Sequence, residues 1–203
     1  ASGTLATEQP WKGLPYPADL DSRPIAYDPS LTPDNDSILG LLKGMIEGAS
    51  SQPVEVTSGG ASLSVQTVTL ANSNGVFYSR PLSHVSASIE TIRGNSTGYE
   101  FGNSFTMDLD PTAIGERAGF LASASYEGMD IRSGPYDVVL SPVAFAQLIG
   151  AVLLPALSGR NVHAGRSRLA SSLGDQVIDS ALSIADDPFL EKGLASTRWD
   201  AEG

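Results

Sequence analysis

The feature that most restricts the fold is a reversal signal, Asn72-Ser73-Asn74-Gly75, set between two long runs of strand-forming residues. Asn-Gly supports the positive φ angles of a tight turn, so the runs are expected to fold back on each other as a hairpin. The outgoing run comprises residues 53–57 and 61–71 and is rich in Val, Thr and Leu. Leu63 and Val65 share one parity and Val68 and Leu70 the other, which predicts a bulge or register change near Gln66 and Thr67. The returning run, 76–93, alternates Val85, Ala87 and Ile89 with Ser86, Ser88 and Glu90. A third strand places Tyr99, Phe101, Phe105 and Met107 on one face. Short connections make the sheet an antiparallel meander.

Helices bracket this meander. Thr32-Pro33-Asp34 is a start signal. Ile38, Leu41, Leu42, Met45, Ile46 and Ala49 then recur at the spacing of one apolar helix face. Asp110-Pro111 opens a second helix with Ile114, Ala118, Leu121 and Ala122 as its buried stripe, ending near Gly128. The expected class is α+β, an antiparallel β-meander flanked by helices and followed by the start of a second, α/β-containing domain. Residues 1–30 read as a Pro-rich linker or wrap, 31–130 as helix, sheet and helix, and 131–203 as the beginning of a C-terminal domain. The last region is expected to hold strands at 136–140 and 177–184, and a turn at Asp186-Asp187-Pro188.

Between residues 138 and 159 the only polar side chains are Ser141, Gln147 and Ser158. Ser141-Pro142 is an N-cap followed by Pro at the first helical position, so the helix runs from 142 to 157. Its rise of about 24 Å falls short of a hydrocarbon core of about 30 Å. The expectation is a buried apolar helix of a water-soluble domain, with no membrane span.

The chain has no cysteine, which excludes thiolate nucleophiles, disulfides and Cys-based metal sites, and fits a reducing compartment, the cytoplasm. A net charge of −11 repels phosphate backbones, so no nucleic-acid partner is expected. Of the two histidines, His84 sits mid-strand and reads as a solvent-facing or edge side chain. His163 lies with Arg160, Arg166 and Arg168 in a basic stretch, a candidate contact for an anion or a peptide carboxylate. Asp34-Asn35-Asp36 and Asp108-Leu109-Asp110 lack the Gly and distal Glu of a calcium loop and precede helices, so capping is the better account. Gly-x-Ser-x-Gly and phosphate-cradling Gly-rich loops are absent. No catalytic residue, metal ligand or cofactor is assigned.

Several pieces in order resemble the TldD/PmbA family, whose members are also called modulators of DNA gyrase. They are Ala71-Asn72-Ser73-Asn74-Gly75; Tyr99-Glu100 before Asp108-Leu109-Asp110-Pro111 and Ile114-Gly115-Glu116-Arg117-Ala118; Gly134-Pro135-Tyr136-Asp137-Val138-Val139-Leu140; Leu157-Ser158-Gly159, Gly165-Arg166-Ser167, Leu173-Gly174 and Asp186-Asp187-Pro188; and Asp200-Ala201-Glu202-Gly203. The resemblance covers roughly residues 30–203 and implies an internal segment of a longer protein.

The resemblance implies two kinds of subunit. The TldD kind carries His-Glu-x-x-x-His on a helix, a zinc peptidase motif. The PmbA kind, also called TldE, lacks those residues and pairs with TldD. Anchored on Leu157-Ser158-Gly159, the two His positions fall near Gly150 and Pro155 and the Glu near Ala151. The helix contains no His, Glu, Asp or Cys, so the chain resembles the PmbA side. The function this implies is a non-catalytic partner in a zinc-dependent peptidase complex acting on unfolded peptides. Its partner would be a TldD-like zinc subunit or a second copy. The alternatives are an independent hydrolase with a spatially assembled site, and a binding module built on the sheet.

Overall fold

The computed structural model describes residues 13–20, 26–191 and 193–200. Parts of the Pro-rich segment, including Pro10, Trp11 and Pro24, and the terminal residues 201–203 lie outside the described residues. The chain divides into two compact units, one of residues 13–130 with 187–200, the other of residues 131–186.

The larger unit is α+β. It runs α1 (Asn35–Ala49), β1 (Glu55–Ala71), β2 (Phe77–Arg93), β3 (Ser96–Ser104) and α2 (Pro111–Ala124). The three strands form one antiparallel sheet in the order β1-β2-β3. Both helices are capped as their sequences dictate. Asp34 accepts from the Ser37 N–H at 2.7 Å, and Asp110 from the Ala113 N–H at 3.0 Å, with Pro111 opening α2. The two helices lie side by side on one face of the sheet. Met45 and Ala49 of α1 meet Ile114 and Ala118 of α2 over Ala87 and Ile89 of β2. The helix crossing is very close. A Cβ on Gly48 would stand 2.1 Å from the Thr112 carbonyl oxygen, and one on Gly115 would stand 2.0 Å from that of Met45.

The hairpin turn uses less positive φ than Asn-Gly promises. Gly75 alone of its four residues enters the left-handed region, at φ 92°. The Asn72 side chain does the rest, its Oδ1 accepting from the Asn74 and Val76 N–H groups at 2.9 and 3.2 Å. The described part of the Pro-rich segment ties to this tip. Asn72 and Asn74 donate to the Pro15 and Leu14 carbonyls, and the Ala18 N–H donates to the Tyr78 hydroxyl at 2.8 Å.

Four expectations need correction. The β1–β2 register runs unbroken through Gln66 and Thr67, and the irregularity lies between Val56 and Ser58. The change of apolar parity arises because this part of the hairpin extends past β3, which pairs β2 only from Val85 onward; Val65 and Val68 are both exposed. The third strand stops at Ser104, so Phe105 and Met107 fall outside it, and Tyr99 and Phe101 point away from the helices. Its inward side carries Gly98, Glu100 and Gly102, and α2 comes so near that a Cβ on Gly98 would meet the Ala118 carbonyl oxygen at 2.0 Å. The strands expected at 136–140 and 177–184 do not form; both stretches are irregular, and no strand is present nearby to supply ladder hydrogen bonds among the described residues of that unit.

The fourth correction concerns the apolar helix. It spans 142–157 as expected, in three pieces: α3 (Pro142–Leu148), a π-helical turn (Ile149–Leu153) and α4 (Leu154–Leu157). Pro155 supplies no N–H and its ring crowds the carbonyl of Ala151, and the wider turn before it relieves that conflict. The helix is not buried. None of its residues is buried, and Val152, Leu154 and Leu157 are 65, 56 and 52% exposed. The other described residues of this unit form turns and a short helix, α5 (Gly159–His163), and none of them forms a strand. Among the described residues no helix is long and apolar enough to cross a membrane.

Two exposed carboxylates are held below the ordinary value of 3.8. For Asp34 the cause is the Ser37 N–H and then the Ser37 hydroxyl; for Asp28 it is the Ser30 hydroxyl and then its N–H. A depressed folded-state pKa contributes stability that is present above the unfolded value and lost as pH falls through the folded one. The double variant Asp28→Asn, Asp34→Asn should therefore lose less of its Tm than the parent when pH is lowered from about 5 to about 2.5. Parallel Tm profiles for the two proteins would place the acid sensitivity elsewhere.

Candidate functional site

The basic stretch of the smaller unit is built on the end of the apolar helix. Ser158 turns the chain out of α4 with extended backbone and α5 follows at once. Side chains stitch the two together: Asn161 Nδ2 donates to the Pro155 carbonyl at 2.8 Å and the Ser167 hydroxyl to the Ala156 carbonyl at 2.5 Å. The Leu169 N–H donates to the Ser167 hydroxyl at 3.0 Å. Gly165 takes φ 66° and lets the chain reverse, with the Arg166 N–H donating to the Asn161 carbonyl at 2.8 Å. Arg160 and His163 thus stand in the last turn of α5, and Arg166 and Arg168 follow within one short turn-rich segment. All four are exposed. The arrangement is a shallow cationic surface rather than a pocket, which suits carboxylate or peptide-terminus contacts and supplies no enclosed site for bond breaking.

His84 lies on β2, half-buried on the sheet face that the helices leave open, directly across from Ser64. Sequence reasoning missed a cleft of about 400 Å³ beyond the end of β3, lined by Asn103, Ser104, Thr106, Asp108, Leu109 and Leu194 among others. There the Ser104 hydroxyl donates to the Asp108 carboxylate at 2.5 Å and accepts from the Thr106 N–H at 3.1 Å. Asp108 is therefore engaged with this loop, and only Asp110 of the pair caps α2. The alternation of small polar residues after Gly102 was the available signal.

Two family models match the chain in succession: the PmbA/TldA metallopeptidase central domain over residues 28–126 and the PmbA/TldA metallopeptidase C-terminal domain over residues 133–203. The chain belongs to the TldD/PmbA family. It is 34% identical over 177 residues to an uncharacterized protein of Methanocaldococcus jannaschii, covering 87% of this chain and 42% of that protein. It is 29% identical over 158 residues to a metalloprotease PmbA homolog of Haemophilus influenzae, covering 73% and 34%. Among solved structures it resembles a candidate modulator of a DNA gyrase from Thermotoga maritima with a TM-score of 0.83 and 25% identity over 94% of this chain and 46% of that one. TldE from Thermococcus kodakarensis shares the fold, with a TM-score of 0.65 at 22% identity over 79% and 38%. The chain spans less than half the length of these relatives.

The word metallopeptidase raises the question of a metal. In this TldD/PmbA chain the helix of the C-terminal domain offers Gly150, Ala151 and Pro155, none with a donor side chain. Among the described residues no three His, Cys, Asp or Glu side chains converge as a metal site. The described residues do not fit a catalytic metal, and no metal-dependent step is assigned to them.

Proposed function

We propose that the chain is part of a non-catalytic subunit of a TldD/TldE-type peptidase complex acting on unfolded peptides, paired in the cytoplasm with a zinc-bearing TldD-like subunit. One observation carries this reading: the helix spanning 142–157, within the C-terminal metallopeptidase domain match, has no side chain able to bind a metal or act as a base. The central and C-terminal domain matches support family membership, and the likeness to a TldE fold agrees with the subunit type. In this reading the apolar helix is scaffold. Arg160, His163, Arg166 and Arg168 contact peptide or partner carboxylates. The cysteine-free segment is consistent with a reducing compartment.

The test is purification of the full-length protein from its source cells, with mass spectrometry of what accompanies it. The expected companion is a stoichiometric subunit bearing His-Glu-x-x-x-His, and the pair should cleave unfolded peptides in a chelator-sensitive manner. Reversing charge at Arg160 and Arg166 should then slow cleavage by the pair while zinc content stays unchanged. One tight zinc per chain and peptide cleavage by the protein alone would overturn the proposal.

A further inference from the structure

Near its start β2 carries two side chains that serve two distant segments at once. Tyr78 and Arg80 lie two residues apart and share one side of the strand. The Tyr78 hydroxyl accepts from the Ala18 N–H at 2.8 Å and donates to the Ala18 carbonyl at 3.1 Å, a two-way tie to the segment 13–20. Its ring meets the Trp199 indole at 5.5 Å between centroids, with a tilt of 40°. Arg80 holds the same indole, its guanidinium 5.7 Å from the ring centroid, and its Nη1 donates to the Ser196 carbonyl at 2.8 Å. Trp199 and Ser196 belong to the segment 187–200, which lies inside the C-terminal domain match yet packs within the larger unit. That segment is knit to itself. The Thr197 N–H donates to the Pro188 carbonyl and the Ser196 hydroxyl to the Leu190 carbonyl, both at 3.0 Å. It therefore docks on β2 as one body.

Neither hold is strong alone. Ala18 is exposed, so water competes for its two bonds to Tyr78. Arg80 Nε is buried with no hydrogen-bond partner among the described residues, an orphan donor that penalises the docked arrangement. We propose that Tyr78 couples the two segments, so that each is held firmly only while the other is in place. Ala18 fixes the hydroxyl and with it the orientation of the ring, and that orientation sets the surface on which Trp199 packs. Trp199 in turn backs the ring and keeps its hydroxyl at Ala18. Coupling of this kind is reciprocal: displacing either segment weakens the docking of the other by the same factor. A ligand or partner chain that lifts one segment is then sensed at the other. This inference does not rest on the peptidase reading.

The test is amide hydrogen exchange in the full-length protein, read by mass spectrometry on peptides from 13–20 and from 187–200. Tyr78→Phe removes the hydroxyl and keeps the ring. It should raise exchange by about threefold or more in 13–20, and also in 187–200, which the hydroxyl does not touch. Trp199→Leu leaves the Tyr78 hydroxyl and Ala18 as they are, and should raise exchange in 13–20 by a comparable factor. Ser79→Ala, which removes only the hydroxyl contact with Thr69 on the other side of the hairpin, should move neither peptide. Circular dichroism of all three variants should match the parent. A Tyr78→Phe effect absent from 187–200, or a Trp199→Leu effect absent from 13–20, would show that the segments are held independently and would overturn the proposal. An equal response to Ser79→Ala would overturn it too, because the hairpin as a whole would then be what loosens.

Discussion

Gly48→Ala and Gly115→Ala are each expected to lower the unfolding free energy of the larger unit by about 2 kcal/mol, although Ala is the better helix former by about 1 kcal/mol. The added Cβ would lie 2.1 Å from the Thr112 carbonyl oxygen in the first case and 2.0 Å from that of Met45 in the second. Both obstacles are backbone, so no rotamer change relieves them and the helices must move apart. That movement would also loosen the packing over Ala87 and Ile89. Gly40→Ala supplies the contrast: it lies in the same helix with nothing within 4 Å of its Cβ, and should stabilise by about 0.5–1 kcal/mol. Urea denaturation of the three variants would settle it. Equal stabilisation by all three would mean that the helices do not cross as closely as described.

Ile89→Ala should cost more, about 3–4 kcal/mol, because the site is enclosed on every side. Ile89 is 2% exposed beneath Met45, Ala49, Ile114 and Ala118, groups from two helices that cannot all collapse into the space left behind. Ile92, three residues along the same strand and only partly buried on the opposite face, is the matched control; its Ala variant should cost under about 1.5 kcal/mol. Comparable losses at the two positions would show that the open face of the sheet is covered.

What could be read from the residues alone followed the strength of local signals. Asp34 and Asp110-Pro111 announce their helices because a cap and its N–H partner lie three residues apart. Val85, Ala87 and Ile89 announce the inward face of β2 because one face meets helices and the other does not. The aromatic pair Tyr99 and Phe101 misleads for a long-range reason: the nearness of α2 leaves no room for a large side chain at the inward positions Gly98 and Gly102, which nothing local to β3 records. The apolar run at 142–157 is legible as a helix, but burial depends on what lies across it, and its own residues cannot specify that. The basic segment was visible as a charge cluster, and its shallow exposed form depends on the Asn161 and Ser167 contacts to the helix end. The cleft beside Ser104 escaped because Leu194, far along the chain, supplies one of its walls.

The wide turn at Ile149–Leu153 alters the angular phase of the helix that contains it. On an ordinary α-helix, residues five apart point about 140° away from each other, a poor arrangement for two groups meant to grip one ion. A turn bonded from i to i+5 brings such a pair back toward a common direction. Gly150 lies within that turn and Pro155, five residues on, just beyond it. A winding suited to two converging ligands is therefore present in a stretch that has none, and whatever uses this helix meets its shape rather than its chemistry.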